Sequence, residues 1–328
     1  MLDLTLACGD YDRTRPIKDG RVRIEGCNVN FFTLGPEEAF FRSFRNAEFD
    51  ISEISFSSYM VQTARNECHY IGIPAFVSRC FRHSSIYIRT DKGICSPADL
   101  KGRLVGLPEY QMTAHVWIRG MLKDEYGIEA SELHYRNGGQ EEPGRDERVT
   151  LKLPKEIDLQ SIPGHETLVN MLTAGGLDVL FTAREPSCFV NGAPNIGRLF
   201  PNYREDEKAY FKKTGIFPIM HLIGIRKTLA EKHPWLPTSV YKAFLQARAL
   251  AMADLPSVGA LNVSLPWAEA EKLDTFAVMG RDFWKYGVAE NARDIDAITR
   301  YACEQGLAER KLTAEDLFHR GTLETSKI

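Results

Sequence analysis

Apolar and polar residues alternate over positions 2–8 and stop at Gly9, which predicts a strand ending in the polar stretch Asp10 to Arg15. From Pro36 the period changes. Ala39, Phe40, Phe44 and Ala47 recur at helical spacing, with Glu37 and Glu38 in a first turn where the helix dipole favours acids. DISEIS at 50–55 predicts the next strand, SFSSYMVQTARN a helix opening at one of its serines, and HYIGIPAFVSR at 69–79 a strand running into a polar turn at 79–83. The alternating segment SSIYIRT (84–90) follows, then a strand, turn and helix with Tyr110, Gln111, Met112 and Thr113 at the helix entrance, where free N–H groups favour anions. Residues 136–165 break the rhythm: rich in Gly, Pro and charge around a short predicted strand, VTLKL, they form a long excursion with the character of a lid or subunit contact. Residues 168–183 then repeat the helix, turn, Asp, strand order of 41–55. GIFPIMHLIGIRK (215–227) predicts a second crossing between halves, a helical region runs from Pro237, and Thr313 to Asp316 form a capping-box start for the last helix.

Strands alternating with helices predict an α/β protein with mainly parallel sheets flanked by helices. The internal echo makes it two-lobed. Joins at 84–90 and 219–226 divide it into lobe 1 (residues 1–88 and 223–328) and lobe 2 (residues 89–222), with a cleft between. Ligands of open α/β sheets bind beyond the carboxyl ends of strands, which selects the segments 10–15, 55–58, 79–83, 110–113 and 184–186.

Composition narrows the partners. The 328 residues carry 41 Lys+Arg against 44 Asp+Glu, a formal charge of -3 with no polybasic run, so no nucleic-acid partner is expected. No apolar run is long enough for a membrane span and no basic leader opens the chain. Seven cysteines at 8, 27, 68, 80, 95, 188 and 303, without a CxxC pair, predict reduced thiols and a cytoplasmic location. Cys68-His69 and Cys80-x-x-His83 match no usual zinc spacing, and neither GxGxxG nor GxxxxGK[ST] occurs, so neither metal nor nucleotide cofactor is expected.

Several segments are more specific than this pattern: CGDYDRTRP at the start, PAFVSRCFRHSSIYI, TAREP at 182–186, GIFPIMH at 215–221, and YGVAENARDIDAITRYACEQGLAERKLTAEDLF near the end. Through them nearly the whole chain resembles the 4,5-dihydroxyphthalate decarboxylase family, on a type II periplasmic-binding-protein-like fold. The resemblance implies non-oxidative loss of one carboxylate from 4,5-dihydroxyphthalate, giving protocatechuate and carbon dioxide, without an organic cofactor and in a homo-oligomer. A cytoplasmic or leaderless solute-binding protein for a small carboxylate is the alternative, since fold alone does not establish catalysis.

A small aromatic dicarboxylate needs cations for its carboxylates and an acid or base near the ring. Arginine's fork suits carboxylates, and Arg13, Arg15, Arg79, Arg82 and Arg184 all lie at predicted strand ends. Beside the crossings, His83 and His221 are the acid/base candidates, because histidine changes charge near neutrality. Asp10 could orient a histidine or accept a phenol proton. Ser55, Ser57, Gln111 and Thr113, at helix starts, are candidates for hydrogen bonds to hydroxyls or to the second carboxylate.

Overall fold

The structure is a computed structural model that describes residues 1–256, 259 and 261–324. The described residues form β1 (Leu2–Cys8), β2 (Cys27–Thr33), β3 (Ile51–Ser55), β4 (Tyr70–Arg79), β5 (Ile86–Arg89), β6 (Leu104–Leu107), β7 (His134–Asn137), β8 (Asp158–Ser161), β9 (Val179–Phe181), β10 (Ile196–Arg198) and β11 (Ile219–Arg226). These make two sheets, β2-β1-β3-β11-β4 and β10-β5-β9-β6-β7-β8, each flanked by helices. Both are mixed: parallel pairs dominate where helices connect the strands, while β11 enters antiparallel between β3 and β4. β5 likewise runs antiparallel to both β9 and β10.

Most elements lie where the periodicity puts them. The helix Pro36–Asn46 buries Ala39, Phe40 and Phe44 and stops at Ala47, whose positive φ of 45° ends the helical path. Thr313 and Asp316 close the expected capping box. Three features differ. β2 was not expected, because CNVNFFT reads as mixed polar sequence; it is an edge strand that pairs with β1 along its whole length, and its asparagines sit on a partly solvated face. VTLKL is not a strand, and the pairing beside β7 falls instead to Asp158–Ser161. The apolar parts of 84–90 and 219–226 are strands within a sheet, β5 and β11, and the crossings fall just before each. There Cys80 donates its N–H to the Pro218 carbonyl at 3.1 Å, so the two crossings lie side by side.

The lobes share a continuous apolar core. Its seam is the helix Thr113–Tyr126, which packs on the helix Ala292–Glu304. Gly120 permits this closeness, since a Cβ there would lie 2.2 Å from the Tyr301 ring. Trp117 completes the seam by donating from its indole to the Ile219 carbonyl at 2.8 Å. No helix among the described residues is long and apolar enough to cross a membrane. All seven cysteines are free thiols.

Candidate active site

A cavity of about 980 Å³ is lined from both lobes, among others by Glu37, Phe40, Ser55, Arg82, Glu109, Thr113, Arg184 and His221, and by the whole stretch from Gly139 to Arg148. The irregular excursion therefore supplies one wall. The opposite wall belongs to the first sheet.

On that sheet wall, β11 carries His221 opposite Ser55 of β3 and Ser78 of β4. The register with β4 then slips: Ile223 already faces Ile73, so Pro74–Val77 bulge out against the single position of Leu222. Proline has no N–H to give to a ladder, which suits it to such a break. The bulged carbonyls do not go unpaired. Pro74 accepts from the Gly287 N–H at 2.9 Å, Phe76 from the Trp284 indole at 2.9 Å, and Val77 from Arg13 Nε at 2.7 Å.

His221 Nδ1 lies 2.6 Å from Glu53 Oε1, and Phe40 meets the imidazole edge-on at 4.7 Å between ring centres. Glu53 has no solvent exposure at all. Burial alone would push its carboxyl up, but the His221 bond and charge, with the Gly9 N–H and Tyr11 hydroxyl, outweigh burial and hold it below the ordinary carboxylate range. With Nδ1 engaged, Nε2 is the nitrogen left for a molecule in the cavity. A buried carboxylate behind a histidine is the standard way to fix its ring orientation and stabilise its charged form.

Arg82 enters from the first crossing. Its Nε donates to Met220 Sδ at 3.3 Å, and no carboxylate among the described residues lies within ion-pair distance. Burial disfavours its charge and lowers its pKa, with the nearby Cys80 and Glu207 opposing. Glu207 is a poor counter-ion, since burial pushes its own carboxyl up to about 7. A cation lining a cavity without a partner is a receptor for an anion.

On the other wall every arginine is already paired. Arg145 binds Glu109 through Nε at 3.0 Å and Glu37 at 3.0 Å; Arg148 reaches Glu109 at 3.2 Å, and Arg184 reaches Glu37 at 3.5 Å. Glu109 is 2% exposed and also accepts from Gln111 Nε2 at 2.6 Å. From there hydroxyls continue the chain: Gln111 accepts from Ser58 at 2.6 Å, Ser58 meets Ser55, and Ser55 meets Thr113 at 2.9 Å. Thr113 Oγ1 also accepts the Ser57 N–H at 3.1 Å, so a second-lobe side chain satisfies the opening of the helix Phe56–Ala64.

Of the residues proposed from sequence, the fold brings His221, Arg82, Ser55, Thr113 and Arg184 to the cavity lining. Gln111 and Ser57 sit just behind it, fully buried. The other five lie elsewhere. His83 is 2% exposed, with its ring against Phe200 and Tyr210, and burial lowers its pKa to about 4. Its short 3-10 turn points it into the core instead of the cavity. Arg79 is buried against Asp294 at 3.2 Å and Asn291 at 2.7 Å, tying the sheet to the C-terminal helices. Asp10 pairs on the surface with Arg15 at 3.1 Å and Lys18 at 3.2 Å. Arg13 supports the β4 bulge.

Sequence reasoning missed Glu53, Glu37, Glu109, Arg145 and Arg148. Glu53 did leave a signal: an acid inside a strand bounded by other strands must be buried and must have a partner. The excursion left none. Among the described residues no group of three His, Cys, Asp or Glu side chains is placed to hold a metal ion.

The fold has clear counterparts. The aliphatic sulphonate binding protein SsuA of Escherichia coli superposes with a TM-score of 0.55 over 98% of this chain and 99% of that one, at 12% identity. A sulfonate-binding protein from Methylobacillus flagellatus gives a TM-score of 0.54 at 12% identity, over 98% of this chain and 93% of its own. The scaffold is thus that of the two-lobed periplasmic-binding-protein-like proteins, here with a histidine–carboxylate pair in the cleft. No family profile matches the chain. Sequence relatives are closer: the 4,5-dihydroxyphthalate decarboxylase of Comamonas testosteroni is 46% identical over 327 residues, 100% of this chain and 99% of that protein. The enzyme of the same name from Pseudomonas putida is 49% identical over 199 residues, 61% of this chain and 77% of its own. The chain belongs to the 4,5-dihydroxyphthalate decarboxylase family, whose named members are carboxy-lyases.

Proposed function

We propose that this chain decarboxylates 4,5-dihydroxyphthalate to protocatechuate and carbon dioxide, with His221 as proton donor and Arg82 as the anchor of the dianion. The observation that carries this reading is one cavity holding an unpaired guanidinium and a histidine backed by a buried carboxylate. Arg82 holds the carboxylate that stays. An ion pair to the departing group would stabilise the ground state and be lost as neutral carbon dioxide forms, which raises the barrier.

Each carboxylate of this diacid stands para to a hydroxyl, whose electron release makes the carbon bearing the departing carboxylate basic. Imidazolium Nε2 delivers its proton to that carbon. The C–C bond then breaks, its electron pair restores the aromatic ring, and carbon dioxide leaves. His221 recovers a proton from water, so one proton is consumed per turnover. Glu53 stabilises the imidazolium and keeps the ring aimed. The stretch 139–148 and Phe40 limit water around the ring.

The same reading takes the protein as a cytoplasmic homo-oligomer whose lobes divide at the crossings just before β5 and β11, a few residues ahead of the expected bounds at 88/89 and 222/223. Seven free thiols support the compartment, and exposed Leu261, Val263, Leu265 and Trp267 support a subunit contact. The test is incubation with 4,5-dihydroxyphthalate while carbon dioxide and protocatechuate are followed together. Equal release of both is expected, and Arg82→Ala is expected to raise KM by about tenfold or more, the scale of a lost charged hydrogen bond. Binding of the diacid with no release would overturn the reading in favour of a solute-binding protein.

A further inference from the structure

The turn Cys8–Tyr11 lies outside the cavity, yet three of its four residues converge on one carboxylate. Glu53 Oε2 accepts the Gly9 N–H at 2.9 Å and the Cys8 thiol at 3.4 Å, while Oε1 accepts the Tyr11 hydroxyl at 2.8 Å. That Oε1 is the same oxygen that holds His221 Nδ1. From this convergence we infer that Tyr11 and the turn that carries it are a positioning device for His221, acting through Glu53. The inference rests on the reading of His221 as the proton donor.

Each donor in the cradle is fixed in its role. A backbone N–H can only donate. Burial, with the Glu53 charge, raises the pKa values of the Tyr11 phenol and the Cys8 thiol, so both keep their protons. A carboxylate receiving three obligatory donors has acceptor capacity to offer and no proton of its own, so the proton on the Glu53–His221 contact resides on Nδ1. The neutral histidine is thereby held as its Nδ1–H tautomer, and the second proton, which makes the imidazolium, is confined to Nε2.

The turn is itself locked. A Cβ at Gly9 would fall 2.5 Å from the Tyr11 ring, so only glycine lets that ring fold back over the strand end. Arg13 stacks over Tyr11 at 4.4 Å and over Trp284 at 3.9 Å, clamping the phenol from its outer side. The titratable groups in contact with Glu53 are thus Cys8, Tyr11 and His221, with the Arg13 charge acting on Cys8 and Tyr11 from behind.

Two conservative variants act on this device in opposite senses. Tyr11→Phe removes one competing donor from Oε1 and leaves more of the carboxylate's charge for the imidazolium, so His221 releases its proton at higher pH than in the parent protein. Glu53→Gln removes the charge, so His221 releases its proton at lower pH. The readouts are NMR titration of the His221 ring without substrate and pH profiles of kcat and KM. For Tyr11→Phe, kcat is expected to fall about fivefold, the worth of one hydrogen bond, with KM unchanged and the alkaline limb of kcat displaced upwards. An undisplaced His221 titration in both variants, with parental kcat, would overturn the inference while decarboxylation by the parent protein still upheld the functional reading. Opposite displacements in a protein that releases no carbon dioxide would uphold the device and overturn only the reaction assigned to it.

Discussion

The two walls of the cavity are built on different physics. His221 and Glu53 sit on adjacent central strands, each fixed by ladder pairing, and the carboxylate between them is sealed from solvent. The facing wall, 139–148, has no regular structure and is held by arginines wedged between Glu37 and Glu109. Hydrogen-bonded strands hold a ring to within a fraction of an ångström, as proton transfer to carbon requires. Arginines paired to carboxylates from side chains alone, with no ladder to fix them, can exchange one anion for another, as the entry of a dicarboxylate requires. Precision is thus placed on the sheet and replaceability on the irregular segment.

The largest expected effect breaks the precise wall alone. His221→Gln preserves size and polarity but cannot deliver a proton, so kcat should fall about a hundredfold or more, with KM within a factor of about three. Parental turnover in steady-state assays would move the acid elsewhere. Next comes the ionic wall: Arg145→Met removes pairs to both Glu37 and Glu109 and should raise KM about tenfold while leaving kcat nearly intact. A drop in kcat without a change in KM would show that this wall also orients the ring.

The smallest effect concerns Glu147, whose Oε1 accepts the Tyr110 N–H while Oε2 is buried without a partner. Burial, reinforced by the Glu109 charge, pushes its carboxyl up from 4.5 to about 7. A raised folded value means the folded state binds the proton more tightly, so this group's stabilisation is complete below pH 4.5 and is lost as pH rises through about 7. Glu147→Gln keeps an acceptor for Tyr110 and cannot ionise. Thermal melts should therefore show a weaker fall of Tm across that window and a gain of about 2 °C at pH 8. Identical pH slopes in the two proteins would remove Glu147 from the account.

Of the sheet wall, His221 and Ser55 were legible in the sequence and Glu53 was not; of the charged residues on the ionic wall, only Arg184 was. His221 follows an apolar run with a proline and a glycine before it, which marks a strand emerging from a crossing. Arg82 lies in a polar turn after β4. The same logic misplaced His83 one residue further on, because a strand-end rule locates a segment and says nothing of which way each side chain turns. Arg79 and Arg13 failed for a related reason: an arginine at a strand end can serve the chain's own carbonyls and carboxylates as readily as a ligand's. Arg145, Arg148 and Glu109 were beyond reach. Their pairing depends on a path with no periodicity, and pattern reading has no purchase where the backbone repeats nothing.

The placement of β11 also sets the order in which the protein can assemble. β3 and β4 are made early, yet neither pairs with the other; both wait for Ile219–Arg226, more than 130 residues later in the chain, to fill the gap between them. Until then a nascent chain carries β4 with no strand partner and β3 with one edge unpaired. The β4 bulge waits longer still, since two of its carbonyls are satisfied by Trp284 and Gly287. Contacts this distant in sequence make folding slow and leave intermediates open to edge-to-edge association. His221, the proposed proton donor, arrives on the strand that completes the sheet, so an incompletely folded molecule lacks the His221–Glu53 pair.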